Sequence, residues 1–377
     1  MKKKNNILSE EGFAFIDLFA GIGGFHIAMH SVGGECVFAS EWDKNARITY
    51  EATYKGINPK LFKKDSKGEY IYFNGDINDV IPEKIPQFDV LCGGFPCQAF
   101  SIAGLRKGFD DTRGTLFFNI ADIVDRKTKQ GQRPKVLFLE NVKGLKNHMG
   151  GKTLEKLKRV LSEDLGYEIR LQVLNAKYFG VPQNRERLFF VCWDKKQIPV
   201  DEFRFPYGIS EDGSVLYSLQ EAKEHCKHTR VGDIFEPKAA IDPKYTISDK
   251  LWIGHQRRKE RNRASGKGFG YSLFTPDSPY ASTISARYWK DGSEILIAQE
   301  GKNPRKLTPV EAGRLQGYCI EGLGWDNPSA KLRDDIPMRI VVSPKEAYHQ
   351  FGNSVAVPVI KAIAKEIKTQ LLDKSKK

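Results

Sequence analysis

The chain is predicted to be an α/β protein, a doubly wound mixed sheet joined to a smaller, irregular, mostly β domain. Three observations predict it. Short apolar runs alternate with longer helical patterns through the first half of the sequence. A glycine turn, Ala20-Gly21-Ile22-Gly23-Gly24, follows the first of those runs. After about Phe205 the periodicity weakens, while glycine, proline and charge rise.

The elements follow in order. Residues 13–19 read as a strand, then the glycine turn and a helix from about Gly24. Residues 36–40 form a second strand ending at Glu41, and 71–73 a third ending near Asp76. The apolar runs 88–92 and 135–139 are the fourth and fifth. Residues 168–174 and 187–193 leave little room for a helix between them, so that pair is read as antiparallel, joined through Gly180-Val181-Pro182-Gln183-Asn184. From 205 onward short strands and loops are expected, with regular helix returning only at 358–372, after Gly352-Asn353-Ser354. The division is therefore 1–204, completed by 352–377, and 205–351.

Composition narrows the class. The 377 residues are 40% hydrophobic, ample for a sizeable core, yet no apolar run approaches the ~18 residues of a membrane span. The basic start Met1-Lys2-Lys3-Lys4 is followed by no apolar signal core, so a cytoplasmic protein is expected. Six cysteines lack metal-site or disulfide spacing, which predicts reduced thiols and no metal. A net charge of +13 favours a polyanionic partner. The stretch 255–263 gathers five lysines and arginines, including Arg257 and Arg258, against one acid.

Two constellations carry chemistry. The first is Asp17-Leu18-Phe19-Ala20-Gly21-Ile22-Gly23-Gly24, where a strand meets its helix. Phe19, Gly21 and Gly23 would let backbone approach a ligand at a helix N-terminus. Glu41, at the end of the second strand, can accept from both ribose hydroxyls. Trp42 could cover an adenine face or merely pack; Asp76 could take the adenine amine, cap the turn that opens at Ile77, or both. An adenosine-bearing cofactor follows, its identity left open. A dinucleotide fingerprint would want glycine or alanine where His26 stands.

The second is Gly93-Gly94-Phe95-Pro96-Cys97-Gln98 with Glu140-Asn141-Val142. A cysteine just past one strand and a carboxylate just past its neighbour can converge at the carboxyl edge of a parallel sheet. A thiol beside a carboxyl group suits attack on an electron-poor ring that must be protonated as it is attacked. The thiolate needs nearby positive charge, for which Arg185 and Arg187 in Gln183-Asn184-Arg185-Glu186-Arg187 are the candidates.

With these motifs in order, the chain resembles the cytosine-5 DNA methyltransferase family over nearly its whole length. Phe19-Ala20-Gly21-Ile22-Gly23-Gly24, Pro96-Cys97-Gln98, Glu140-Asn141-Val142, Gln183-x-Arg185-x-Arg187, residues 305–318 and Gly352-Asn353-Ser354-Val355 each match a family motif. The resemblance implies a Rossmann-like fold that uses S-adenosyl-L-methionine, with Pro96, Ile77, Asn353, Ser354 and Val355 among the cofactor-side residues. It implies Cys97 as nucleophile and Glu140 as the partner of ring nitrogen 3. A mobile loop over 100–115 would bring Ser101, Arg106 and Lys107 to DNA; Ala103 stands where some members have serine. Sequence specificity would lie within about 205–303, with Arg257, Arg258, Thr283 and Arg287 near the duplex and a CC-containing palindrome as target. A monomer paired functionally with a restriction endonuclease is expected. Two competing readings are the same fold acting on tRNA, disfavoured by the long recognition region, and a silent DNA-binding regulator, disfavoured by intact Cys97, Glu140 and Arg185.

Overall fold

The computed structural model describes residues 12–96, 116–198, 203–320 and 336–373. Its first strand, β1 (Phe13–Leu18), is buried along its entire length, as a strand covered on both faces must be. Around it assemble β2 (Gly34–Ser40), β3 (Phe73–Asn74), β4 (Val90–Gly94), β5 (Val136–Val142), β6 (Glu168–Asn175) and β7 (Glu186–Trp193). The order is β3-β2-β1-β4-β5-β7-β6. The first five strands are parallel, whereas β7 runs antiparallel to both β5 and β6. The doubly wound mixed sheet is thus as expected, with the return strand β7 inserted between its two predecessors in sequence.

Helices α1 (Gly24–Ser31), α2 (Lys44–Tyr54), α3 (Leu116–Lys129) and α4 (Lys152–Arg159) flank the sheet. One apolar cluster joins Phe15, Phe138 and Val191 to α1; another joins Ile16, Leu137 and Phe190 to α3 and α4 on the other side. Because β1 has β2 on one side and β4 on the other, the winding reverses there. The carboxyl ends of β1 and β4 open a crevice at this switch point.

Most strand boundaries shift by a residue or two from the sequence reading, and the shifts in β3, β4 and β5 have identifiable causes. The third strand lies at Phe73–Asn74 rather than 71–73, because the chain before it pairs elsewhere: Lys64 bridges Tyr70, and the Ile71 N–H donates to Lys63. The fourth runs two residues further than expected, through Gly93 and Gly94. A Cβ at Gly93 would stand 3.1 Å from the Leu18 carbonyl oxygen, a tight contact that favours glycine where β4 runs beside β1. The fifth continues through Glu140 to Val142, since β7 supplies it with partners as far as Arg187. Glu140 therefore stands on a strand, opposite Gly94, and not in a loop beyond one.

The largest correction concerns 205–351. Helix was expected to return only at 358–372, but this stretch holds α5 (Leu219–His225), α6 (Asp249–Ala264), α7 (Pro309–Leu315) and α8 (Pro344–Asn353). Its described strands are short: β8 (Gly208–Ile209), β9 (Val215–Leu216), β10 (Leu273–Phe274), β11 (Leu296–Gln299) and β12 (Lys302–Arg305). The region is mixed, not mostly β. Capping boxes at Ser218/Glu221 and Thr308/Glu311 start α5 and α7. α6 buries only His255, so its sequence lacks an apolar stripe. The last helix, α9 (Val357–Asp373), packs against α1. The core that begins at Phe15 continues through Ile284 and Ile297 to Ile367.

Candidate active site

β1 stops at Leu18, one residue earlier than expected, because Phe19 turns into left-handed backbone (φ 53°). Gly21 and Gly23 follow with φ 54° and 84°. At Gly23 glycine is required twice over: the φ is positive, and a Cβ would meet the Tyr54 ring at 2.3 Å. This turn, the ends of β2, β4 and β5, and the 352–355 segment surround a cavity of about 930 Å³.

Glu41 holds the turn in place. Its Oε2 accepts the Gly21 N–H at 2.7 Å and its Oε1 accepts the Asp43 N–H at 2.7 Å. Burial pushes its carboxyl up, and these N–H groups oppose that shift. Each oxygen keeps a lone pair for a diol in the cavity. Trp42 is 78% exposed on the cavity wall, so the packing role is excluded and an open aromatic face remains. Asp76 is a cap, its Oδ1 accepting the Asn78 N–H at 2.9 Å; Oδ2 has no partner among the described residues. Ile77, Pro96, Asn353, Ser354 and Val355 line the same cavity, so every expected cofactor-side residue is brought together except Gly23, which acts beneath the turn.

Glu140 sits across the cavity, with its side chain 12% exposed. Its Oε1 is 3.1 Å from the Arg187 Nε, and a Cβ on Gly94 would stand 3.2 Å from its Oε2. Desolvation raises its carboxyl above the usual glutamate value, against the pull of Arg187 and Arg185. A buried acid inclined to keep its proton is suited to giving that proton away.

The two arginines do different work. Arg187 pairs with Glu140. Arg185, buried, donates to the carbonyls of Ile284 at 3.2 Å, Gly352 at 3.2 Å and Ser354 at 2.5 Å. It is a backbone clamp whose charge reaches Glu140 from behind. Cys97, Ser101, Arg106 and Lys107 lie outside the described residues.

Three polar residues were given no role from the sequence, although their hydrogen bonds shape the site. The Asn141 Nδ2 donates to the Phe95 carbonyl at 2.8 Å, tying β5 to the segment that leads to Cys97. Gln183 and Gln316 form a buried amide pair at 3.2 Å. All three stood inside recognised motifs; their neighbours' more reactive side chains drew attention away.

The expected DNA-facing residues separate. Arg257 and Arg287 are exposed. Thr283 turns its hydroxyl to the Asn184 carbonyl at 2.7 Å. Arg258 does not face outward. Its guanidinium donates to the Gly270 carbonyl from Nε (3.1 Å) and Nη2 (2.7 Å), pairs with Asp291 at 3.0 Å and meets His255 at 2.9 Å. It braces the 266–271 loop against α6. Arg258→Met should therefore relax target discrimination with little change in the salt slope of duplex binding. Arg257→Ala should weaken binding on all sequences and lower that slope by about one. Filter binding across a salt series, on target and scrambled duplexes, separates the two.

Fold and cavity together define a doubly wound α/β protein with a deep cavity at the switch point, faced by a buried carboxyl held above its ordinary value. Residues 13–369 match the C-5 cytosine-specific DNA methylase family, and the chain belongs to that family. It is an enzyme that methylates cytosine at carbon 5 in DNA. It is similar to Type II methyltransferase M1.ScrFI of Lactococcus lactis subsp. cremoris, 47% identical over 97% of this chain and 80% of that one. It is also similar to M.SsoII of Shigella sonnei, 48% identical over 94% and 80%. Among solved structures, the S. pombe Dnmt2 methyltransferase superposes with a TM-score of 0.64 at 17% identity, over 96% and 99% of the two chains. The Entamoeba histolytica methyltransferase EhMeth gives 0.65 at 15%, over 97% and 99%. No helix among the described residues is long and apolar enough to cross a membrane.

Proposed function

We propose that this chain transfers a methyl group from S-adenosyl-L-methionine to carbon 5 of a cytosine rotated out of a specific short duplex sequence, and so protects that DNA from a cognate restriction endonuclease. The observation that carries the reading is Glu140: a buried carboxyl, raised by desolvation and steadied by Arg187, facing a cavity whose opposite wall is the Glu41-anchored turn. The names of the relatives, Type II methyltransferases, support the restriction–modification role.

Residues 1–204, completed by 352–377, form the catalytic part in this reading, and 205–351 the target-recognition part. Glu41 would take the ribose hydroxyls, Trp42 and Ile77 would hold the adenine, and the free oxygen of Asp76 would accept its amine. The backbone at Phe19, Gly21 and 353–355 frames the amino-acid end. When bound, S-adenosyl-L-methionine would supply an electrophilic methyl group.

The protein's residues do the rest. The Cys97 thiolate adds to carbon 6 of the extruded ring, and the displaced electron pair moves toward ring nitrogen 3. Glu140 delivers its proton there, and Arg187 holds the carboxylate that remains. Carbon 5 is then enamine-like and takes the methyl group. A base, water at its simplest, takes the carbon 5 proton; the 5,6 double bond re-forms, the sulfur leaves as thiolate, and Glu140 recovers the proton from ring nitrogen 3. Extrusion is required because carbon 6 is inaccessible in the stack.

A duplex with 5-fluorocytosine at the target position tests this, since fluorine cannot leave as a proton does. With cofactor present, the polypeptide should remain bonded to the duplex through denaturing electrophoresis. Free polypeptide alone, on the site located by bisulfite sequencing of DNA from expressing cells, overturns the reading.

A further inference from the structure

The segment 281–287 and the loop 352–355 are joined three times over. Gln183 bridges Ala281 as a parallel strand partner, and the Asn184 N–H donates to the Ala281 carbonyl at 2.9 Å. The Gln183 side chain then works in two directions. Its Oε1 accepts the Ile284 N–H at 3.1 Å, while its Nε2 reaches the Leu315 carbonyl at 2.9 Å and the Gln316 Oε1 at 3.2 Å. Gln316 passes the chain on to the Phe351 carbonyl at 2.6 Å. The Arg185 fork closes the ring by holding Ile284 on one side and Gly352 and Ser354 on the other. Finally, the two backbones touch: a Cβ on Gly352 would lie 2.2 Å from the Ser285 carbonyl carbon.

One of these segments carries Thr283 and Arg287, and the other lines the cavity through Asn353–Val355 positions. Nothing soft lies between them. Gln183 and Gln316 are fully buried, Arg185 nearly so, and a direct backbone contact cannot absorb a shift by changing rotamer.

We propose that Gln183 and Arg185 are positioning residues that couple the two ligand sites, so that a duplex held at 281–287 tightens the cofactor site at 352–355 and the cofactor tightens the duplex by the same factor. This rests on the function proposed above. The coupling travels through a contiguous hydrogen-bonded ring, and its two ends are distinct binding surfaces.

The test measures the Kd of S-adenosylhomocysteine, an unreactive probe, by calorimetry with and without a duplex carrying the bisulfite-mapped site. The wild-type chain should bind the probe about tenfold more tightly with duplex present. Arg185→Lys keeps the charge but loses the fork; Gln183→Glu keeps the acceptor for Ile284 and loses the donor. Each should reduce the tightening to twofold or less. A merely structural role would weaken each ligand separately and leave the ratio intact. Circular dichroism confirms that the variants are folded, and the Gln183→Glu/Arg185→Lys pair guards against one of them failing to fold. A wild-type ratio of one, or an unchanged ratio in both folded variants, overturns the inference. If the 5-fluorocytosine adduct forms while the ratio stays at one, only the coupling is refuted; if no adduct forms, the functional reading falls first.

Discussion

Cys97→Ala should lower methyl transfer by more than about a thousandfold, roughly 4 kcal/mol of transition-state stabilisation, while leaving duplex affinity within a few-fold of the wild-type value. The reason is chemical. Cytosine carbon 5 is not nucleophilic until carbon 6 carries a donor, and alanine offers none. Binding, by contrast, draws on phosphate contacts and on the recognition segments, which a side chain two residues past Phe95 does not build. Transfer of a labelled methyl group to duplex, measured beside gel-shift titration of the same preparation, reads both quantities. Transfer at near wild-type rate would mean that another residue makes the covalent bond.

Glu140→Gln should lower kcat by about 10²- to 10⁴-fold with little effect on S-adenosylhomocysteine affinity. Glutamine keeps the shape and can donate an N–H, but it cannot release a proton to ring nitrogen 3. The pH profile carries a second signature. Desolvation, the largest influence on this carboxyl, raises it above the ordinary 4.5. The competent form is the protonated one, so the activity owed to Glu140 is complete at low pH and declines as pH rises through the raised value. That descending limb should vanish in the glutamine variant, leaving only the ascending limb of the thiol. Stability has the same sign: the folded state favours the protonated acid, so this group's contribution is full below 4.5 and is lost as pH rises through the folded value. A descending limb that persists in Glu140→Gln would assign it to another group.

The sheet was legible because its strands are apolar throughout and punctuated by glycine and polar residues, and burial on both faces leaves no other pattern. The site was legible for a related reason. Strand ends at a switch point hold reactive side chains in short, recognisable runs, as at Glu41 and Glu140. What stayed hidden was whatever depends on a distant partner. The sequence at 140 could not tell that β7 would carry β5 three residues further. Arg258 looked like a phosphate contact because nothing nearby announces that Gly270 and Asp291 will turn it inward. α6 escaped notice because a helix that buries a single histidine has no period to detect, although Ser248 caps it. The capping boxes at Ser218 and Thr308 were present to be read and are local signals of helix starts.

The contact between Gly352 and the 285–286 backbone bears on how such enzymes could acquire new targets. A transplanted specificity module must arrive with a main chain that lies flat on this glycine and with carbonyls spaced for Arg185, whatever bases it reads. Hybrids spliced upstream of residue 281 and downstream of 287, importing that strip intact, should inherit activity more often than hybrids cut through it. The seam, rather than the reading surface, then governs which exchanges survive.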